Sequence, residues 1–212
     1  MTTQLSLYNG ALTKYLGERK LASLTENRKP RRVLDQIWDS GGFTKGVLED
    51  GLWNFATRTF RSEYNPSVNP DFGFKYAHDK PTDWVRTSAI SLSDYFSDSL
   101  MAYNDEAQYW FLDQPTIYIR IISNDSSYGG DLSLWSDSAV DYAEVKLASL
   151  ACLNITQDKE MTRELKAEAK NMLRTATSRD AMNDPAVFPP TGSWVRARRG
   201  GRRGPPTNIR TV

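Results

Sequence analysis

Cysteine and histidine are all but missing from these 212 residues: the chain has one of each, Cys152 and His78. A lone cysteine forms no intramolecular disulfide. One His with one Cys also leaves no cluster of metal-ligand spacing, which excludes zinc sites and Cys-His dyads. Cys152, between Ala151 and Leu153 in an apolar helical stretch, reads as a small buried hydrophobe rather than a reactive thiol. Long hydrophobic runs are missing too. A membrane-spanning helix needs about 18 or more apolar residues, and the longest candidate, residues 147–155, is half that. The opening MTTQLSLYNGALTKYL has no basic segment leading into an apolar one, so no secretory signal and no membrane anchor are expected, and the protein is expected to be made and kept in a cytoplasm. There is no GxxxxGKS or GxxxxGKT loop and no GxGxxG between a strand and a helix, so the usual phosphate cradles are missing. Without a GxSxG elbow the case for a Ser-His-Asp triad is poor, and His78, in FKYAHDKPTDW, reads as a surface or turn histidine.

What is present describes a globular chain: 39% hydrophobic and 25% charged residues, with a mean hydropathy of -0.57. A chain of this length hides roughly 70% of the surface it exposes when unfolded, so a self-sufficient core is expected. The net charge of +1 conceals an asymmetry. Every acid lies at or before Asp184, while Arg196, Arg198, Arg199, Arg202, Arg203 and Arg210 crowd the end. Without those six arginines, 21 bases face 26 acids, a body of about -5 carrying a +6 tail. Such a split suggests a folded acidic body with a basic interaction arm.

Helical spacing of Leu5, Tyr8, Leu12, Tyr15 and Leu16 predicts a first helix over residues 4–16, ending at Gly17. After Thr25, Glu26 and Asn27, with Pro30 in a first turn, the apolar stripe Leu34, Ile37, Trp38, Gly41, Leu48 and Leu52 stays in phase. It predicts one long helix, weakened or kinked at Gly41-Gly42. Residues 53–60, 74–76, 109–112 and 116–122 are aromatic and β-branched between Pro, Asn, Asp and Gly clusters, and predict short strands. The tryptophans of this region read as packing in a small sheet. Asp137 and Asp158 read as the starts of two more helices, the first apolar nearly all round, the second with a stripe of Met161, Leu165, Ala169, Met172, Leu173 and Ala176. The expected fold is therefore mainly α with a β-rich insertion (α+β). A four-helix bundle of residues 1–52 and 136–181 would be interrupted by a small antiparallel sheet region, 53–135, and followed by an extended basic arm, 182–212.

Paired carboxylates are plentiful enough to allow glycoside hydrolysis on paper, and that abundance strips them of weight; each has a simpler reading as a capping or solvated residue. No enzyme activity and no cofactor are expected. The arm is the one feature with an evident physical use. Arginine makes planar bidentate contacts to carboxylates and phosphates, and among Gly and Pro it stays extended until a partner orders it. Trp194 and Val195 beside the arginines favour docking, because an exposed Trp on an idle tail is a liability.

The segments LYNGALTKYLGERKLASLTENRKPRRVLDQIWD at residues 7–39, WNFATRT at 53–59 and FKYAHDKPTDWVR at 74–86 resemble the tail tubular protein A family, and the similarity continues through residues 136–181. These are head-to-tail adaptor, or gatekeeper, proteins of short-tailed bacteriophages, related in fold to the connectors of long-tailed phages. The resemblance covers most of the chain and implies a non-enzymatic virion protein. It implies a homo-oligomeric ring, expected to be a dodecamer, below the portal protein and above the nozzle (tail tubular protein B). Such a ring often carries tail fibres and lets DNA pass through its lumen. In the wider adaptor group the C-terminal segment clasps the portal, a role that carries over to residues 194–212, with Trp194, Val195, Arg196, Arg198, Arg199, Arg202, Arg203 and Arg210 as the portal-binding arm. Two alternatives stand beside it: the arm contacts packaged DNA, or the protein degrades an envelope polymer.

Overall fold

The computed structural model describes residues 2–40, 42–96 and 101–183. Thr3 opens the first helix, α1 (Gln4–Gly10), through a capping box with Ser6 that satisfies two otherwise unpaired N–H groups. A π-helical turn, Ala11–Tyr15, continues α1, and Leu7, Tyr8, Ala11 and Leu12 are buried along it. Beyond Gly17, Asn9 clamps the loop by accepting from the Leu21 N–H and donating to its carbonyl. Helix α2 (Lys29–Asp35) follows with Pro30 in its first turn and runs into a second π-helical turn, Gln36–Ser40.

The single long helix expected through Gly41-Gly42 is replaced by two. Gly42 stands at φ +56 in the left-handed region, which no right-handed helix accommodates, and α3 (Phe43–Asp50) starts afresh from it. The stripe holds as far as Leu48, but Leu52 is half exposed.

The two C-terminal helices follow their reading, except that Ser136 and not Asp137 holds the N-cap position of the first. Helix α4 (Asp137–Thr156) and α5 (Lys159–Ala181) form a hairpin whose turn is Gln157, at φ +60, and Asp158, which caps α5 by accepting from the N–H groups of Glu160 and Met161. Helix α4 is central, packed by α1, α2, both π turns and α5. That position explains why it is apolar nearly all round and why Cys152 is fully buried.

Between these helices lie two three-stranded antiparallel sheets. One has β1 (Thr57–Glu63), β3 (Trp84–Ser91) and β6 (Thr116–Ser123), with β6 in the middle; the other has β2 (Tyr76–Asp79), β4 (Asn104–Asp105) and β5 (Tyr109–Leu112), with β5 in the middle. Ile117, Ile119 and Ile121 alternate onto one face of β6 and form a second core with Trp110 and Leu112. Ile122, one residue on, points the other way and joins the helical core.

The four-helix bundle is therefore overturned. Among the described residues there are five α-helices and two small antiparallel sheets, a mixed α/β fold. Only α4 and α5, of 20 and 23 residues, are long; α1, α2 and α3 have 7, 7 and 8, so no second pair matches the first in length. The β1–β6–β3 sheet also reaches into the helical core, since Val85 and Ile122 pack with Trp53, Ala56 and Trp135 in one cluster with α1, α3 and α4. Trp53 and Trp135 thus pack among helices, not within a separate sheet.

Candidate functional site

The residues assigned to the portal-binding arm, Trp194, Val195, Arg196, Arg198, Arg199, Arg202, Arg203 and Arg210, lie outside the described residues. What is described is the root from which they depart. Near the end of α5, Asp180 is buried; its carboxylate accepts from the Asn54 N–H at 2.7 Å, and its carbonyl accepts from the Asn54 amide at 2.8 Å. Thr177 packs beside Gly51, where a Cβ would come within 3.1 Å of its methyl and 2.8 Å of the Trp53 ring. The last helical turn is thereby tied to residues 51–54, where the helices pass into β1.

At the other side of the junction Arg58 of β1 grips Asp83, with one guanidinium nitrogen 2.8 and 2.7 Å from the two carboxylate oxygens, and the Ser123 hydroxyl donates to the same carboxylate. Burial alone pushes the Asp83 carboxyl up; the hydrogen bonds from Ser123 and Arg58 more than offset it and hold the group below the usual carboxylate range. Together these bonds tie the turn before β3 to β6, its neighbour, and to β1 beyond it.

A groove of about 490 Å³ runs between α2 with its π turn, the start of α3 and the middle of α4. Its walls are largely apolar (Val33, Ile37, Phe43 and Leu150), with Lys146 and Asn154 as polar members. Lys146 donates to the Gly46 carbonyl and pairs with Asp50, which also accepts from the Tyr142 hydroxyl. Burial, reinforced by that carboxylate, raises the Tyr142 pKa far above its ordinary value, so the phenol remains a donor. Leu150 stays about 45% exposed at the groove.

No protein-family model and no curated protein matches this sequence.

The histidine reading needs correcting. His78 is fully buried in β2, not on a surface or in a turn. Its Nε2 lies 3.0 Å from the Gln114 carbonyl, which can only accept, so Nε2 carries the hydrogen and Nδ1 accepts from the Ser62 hydroxyl at 3.2 Å. A backbone carbonyl stands where a triad would place a carboxylate. The arrangement ties β1, β2 and the loop before β6 together.

Burial holds the His78 pKa below the ordinary imidazole value of 6.5. The unfolded chain then binds the proton more readily, so this contribution to stability is fully present above about pH 6.5 and is lost as pH falls through the folded pKa. Because the chain has one histidine, a single imidazole resonance is expected to titrate below 6.5 by NMR. His78→Gln is expected to remove that step from urea unfolding midpoints followed against pH. Titration at or above 6.5 would contradict the burial.

Sequence reasoning also missed the pair of Lys14, in the first π turn, with Glu144 of α4, whose amine and carboxylate stand 2.5 Å apart. Gly10 lies directly opposite, where a Cβ would come within 2.0 Å of the Glu144 carboxylate. The one sequence signal for this pair is a glycine inside a helical pattern, which marks close approach without naming the partner. Among the described residues no group of three or more His, Cys, Asp and Glu is placed to hold a metal ion, and no helix is long and apolar enough to cross a membrane.

Proposed function

We propose that this chain is a head-to-tail adaptor of a short-tailed bacteriophage, a structural virion protein. Copies of it close into a ring, expected to be dodecameric, between the portal and the nozzle formed by tail tubular protein B. The C-terminal arm docks on the portal, and DNA passes through the lumen.

The observation that supports this reading most is the Arg58–Asp83 grip. Two separate segments that resemble the tail tubular protein A family, WNFATRT and FKYAHDKPTDWVR, meet through it. The charge split adds to it. A body of net negative charge repels DNA and lets it slide through a lumen, while six arginines on a tethered arm suit an acidic partner. Subunits meeting by unlike faces close into a ring when the rotation per step divides a full turn.

Sedimentation of the full-length protein and of a chain ending at Gly192, each alone and mixed with portal rings, tests the reading. The full-length chain is expected to join the portal as a ring, and the shortened chain to lose that association. Equal binding by both removes the arm from the clasp and leaves DNA as its partner; in that case log affinity for duplex DNA should fall with log salt at a slope of roughly -5 for six phosphate contacts. Failure of the full-length chain to join any portal sinks the adaptor reading.

A further inference from the structure

We infer that the loop between α1 and α2, together with the exposed side of α2, is a contact surface for the phosphate backbone of duplex DNA, carried by Arg19, Lys20, Lys29 and Arg32. The surface belongs to the body and is separate from the arm, so it goes beyond the adaptor reading and does not rest on it.

The first argument is how the loop uses its charge. Residues 18–32 hold six bases and two acids, Glu18 and Glu26. Arg28 pairs with both acids, at 3.6 and 3.7 Å, and one of its guanidinium nitrogens also donates to the carbonyls of Arg19 and Lys20 at 3.2 and 3.3 Å. Glu26 in turn accepts from the Ala22 N–H at 2.8 Å, and Arg31 donates to the Leu24 carbonyl at 3.2 Å while pairing with Asp35. Two inward arginines thus hold the loop in shape and take up the nearby carboxylates. The other four cations, Arg19, Lys20, Lys29 and Arg32, are exposed, and among the described residues none of them has an acid within ion-pair distance. They are also neighbours: Arg28 binds the backbone of the first two and precedes the third, while Lys29 and Arg32 stand three apart on one face of α2. Four like charges gathered on a preordered loop repel one another, and a polyanion turns that repulsion into attraction with little further ordering of the loop.

The second argument is what the surface lacks. Protein partners are held chiefly by aromatic and other large anchors seated in pockets. Residues 18–32 contain no aromatic side chain, and of their two leucines Leu21 is buried and Leu24 is only 36% exposed. Beside the cations stand Thr25 and Asn27, both exposed, which offer a hydroxyl and an amide of the kind that also meets phosphate oxygens. Charge and hydrogen bonding without an apolar anchor suit a partner held by its backbone alone, and duplex DNA presents one negative charge about every 1.7 Å along its axis. The body as a whole is acidic, so the contact is confined to this face, weak and strongly dependent on salt.

Fluorescence anisotropy with a short labelled duplex of arbitrary sequence tests it, on the full-length chain with Arg196, Arg198, Arg199, Arg202, Arg203 and Arg210 all replaced by Gln so that the arm contributes nothing. This arm-neutral chain is expected to bind, with log affinity falling against log salt at a slope of roughly -3 to -4 for four phosphate contacts, about a hundredfold between 50 and 200 mM salt. Adding Arg19→Gln, Lys20→Gln, Lys29→Gln and Arg32→Gln is expected to abolish binding and to leave the urea unfolding midpoint in place, because the four side chains are exposed. The exchanges Arg19→Lys, Lys20→Arg, Lys29→Arg and Arg32→Lys, which keep the charge, should retain both binding and slope. No binding by the arm-neutral chain at low salt, or an unchanged slope after the four Gln substitutions, overturns the proposal. So does equal binding of polyglutamate of matched charge, which would assign the face to an acidic protein. The readout involves no portal, so its failure leaves the adaptor reading standing, and failure to join a portal leaves this surface standing.

Discussion

Trp53→Ala is expected to remove about 3 to 5 kcal/mol of folding stability, the usual range for truncating a fully buried aromatic. Trp53 is completely covered, and its ring stacks on Phe55 at 5.7 Å and Tyr142 at 6.2 Å. Its indole N–H donates to the Val47 carbonyl at 2.9 Å, so truncation also leaves a buried carbonyl without a partner. The cavity would open where α3, α4 and the lead into β1 meet, and small side chains there, Gly51 and Ala56, cannot collapse into it. Trp53→Phe retains most of the packing and loses chiefly the hydrogen bond, for about 1 to 2 kcal/mol. Urea unfolding followed by far-UV circular dichroism measures both. An alanine variant as stable as the parent would contradict the assignment of one core shared by the helices and the β1–β6–β3 sheet.

The second large effect is expected from Lys14→Met. Glu144 is almost wholly covered and has the Lys14 amine as its counter-ion, while Asp141 pairs with the same amine at 3.3 Å. Breaking a fully buried pair costs about 3 to 5 kcal/mol. Lys14 is half exposed and solvent screens part of the loss, so about 1 to 3 kcal/mol is expected at neutral pH. Burial raises the Glu144 pKa, and Lys14 pulls it partly back; without Lys14 it rises further. A carboxyl whose folded pKa lies above its unfolded one contributes most stability below the unfolded value and loses it as pH rises through the folded one. The deficit of Lys14→Met should therefore shrink as pH falls toward the unfolded value near 4.5 and widen toward neutrality. Adding Glu144→Gln should recover most of the loss, because a neutral amide needs no counter-ion. A deficit independent of pH, or no recovery in the double variant, would contradict a buried carboxylate.

These two sites show where reading a sequence stops. Asp158 as a helix cap, the apolar α4, the stripe of α5 and the strands at 109–112 and 116–122 were legible because each is dictated by neighbours within one or two turns. Strand β3 was not legible as a strand: VRTSAIS is mixed in polarity, and it is strand because β6 pairs with it. The pair Gly41-Gly42 was visible as a weakness in the helical pattern, but that Gly42 turns left-handed depends on what packs around it. His78 looked superficial because charged and turn-forming residues surround it in sequence; pairing of β2 with β5 turned it inward.

The sequence by itself determined the helical hairpin, the central strands, the buried cysteine and the charge division between body and arm, because periodicity, caps and composition are local quantities. Only the tertiary structure decided that three short helices and one edge of the β1–β6–β3 sheet share a core with α4 and α5, that Arg58 meets Asp83 and Lys14 meets Glu144, and that a groove is left open along α4. Those contacts join residues 25 to 130 positions apart. The packing that brings them together draws its free energy from excluding water between apolar surfaces that no stretch of chain contains on its own.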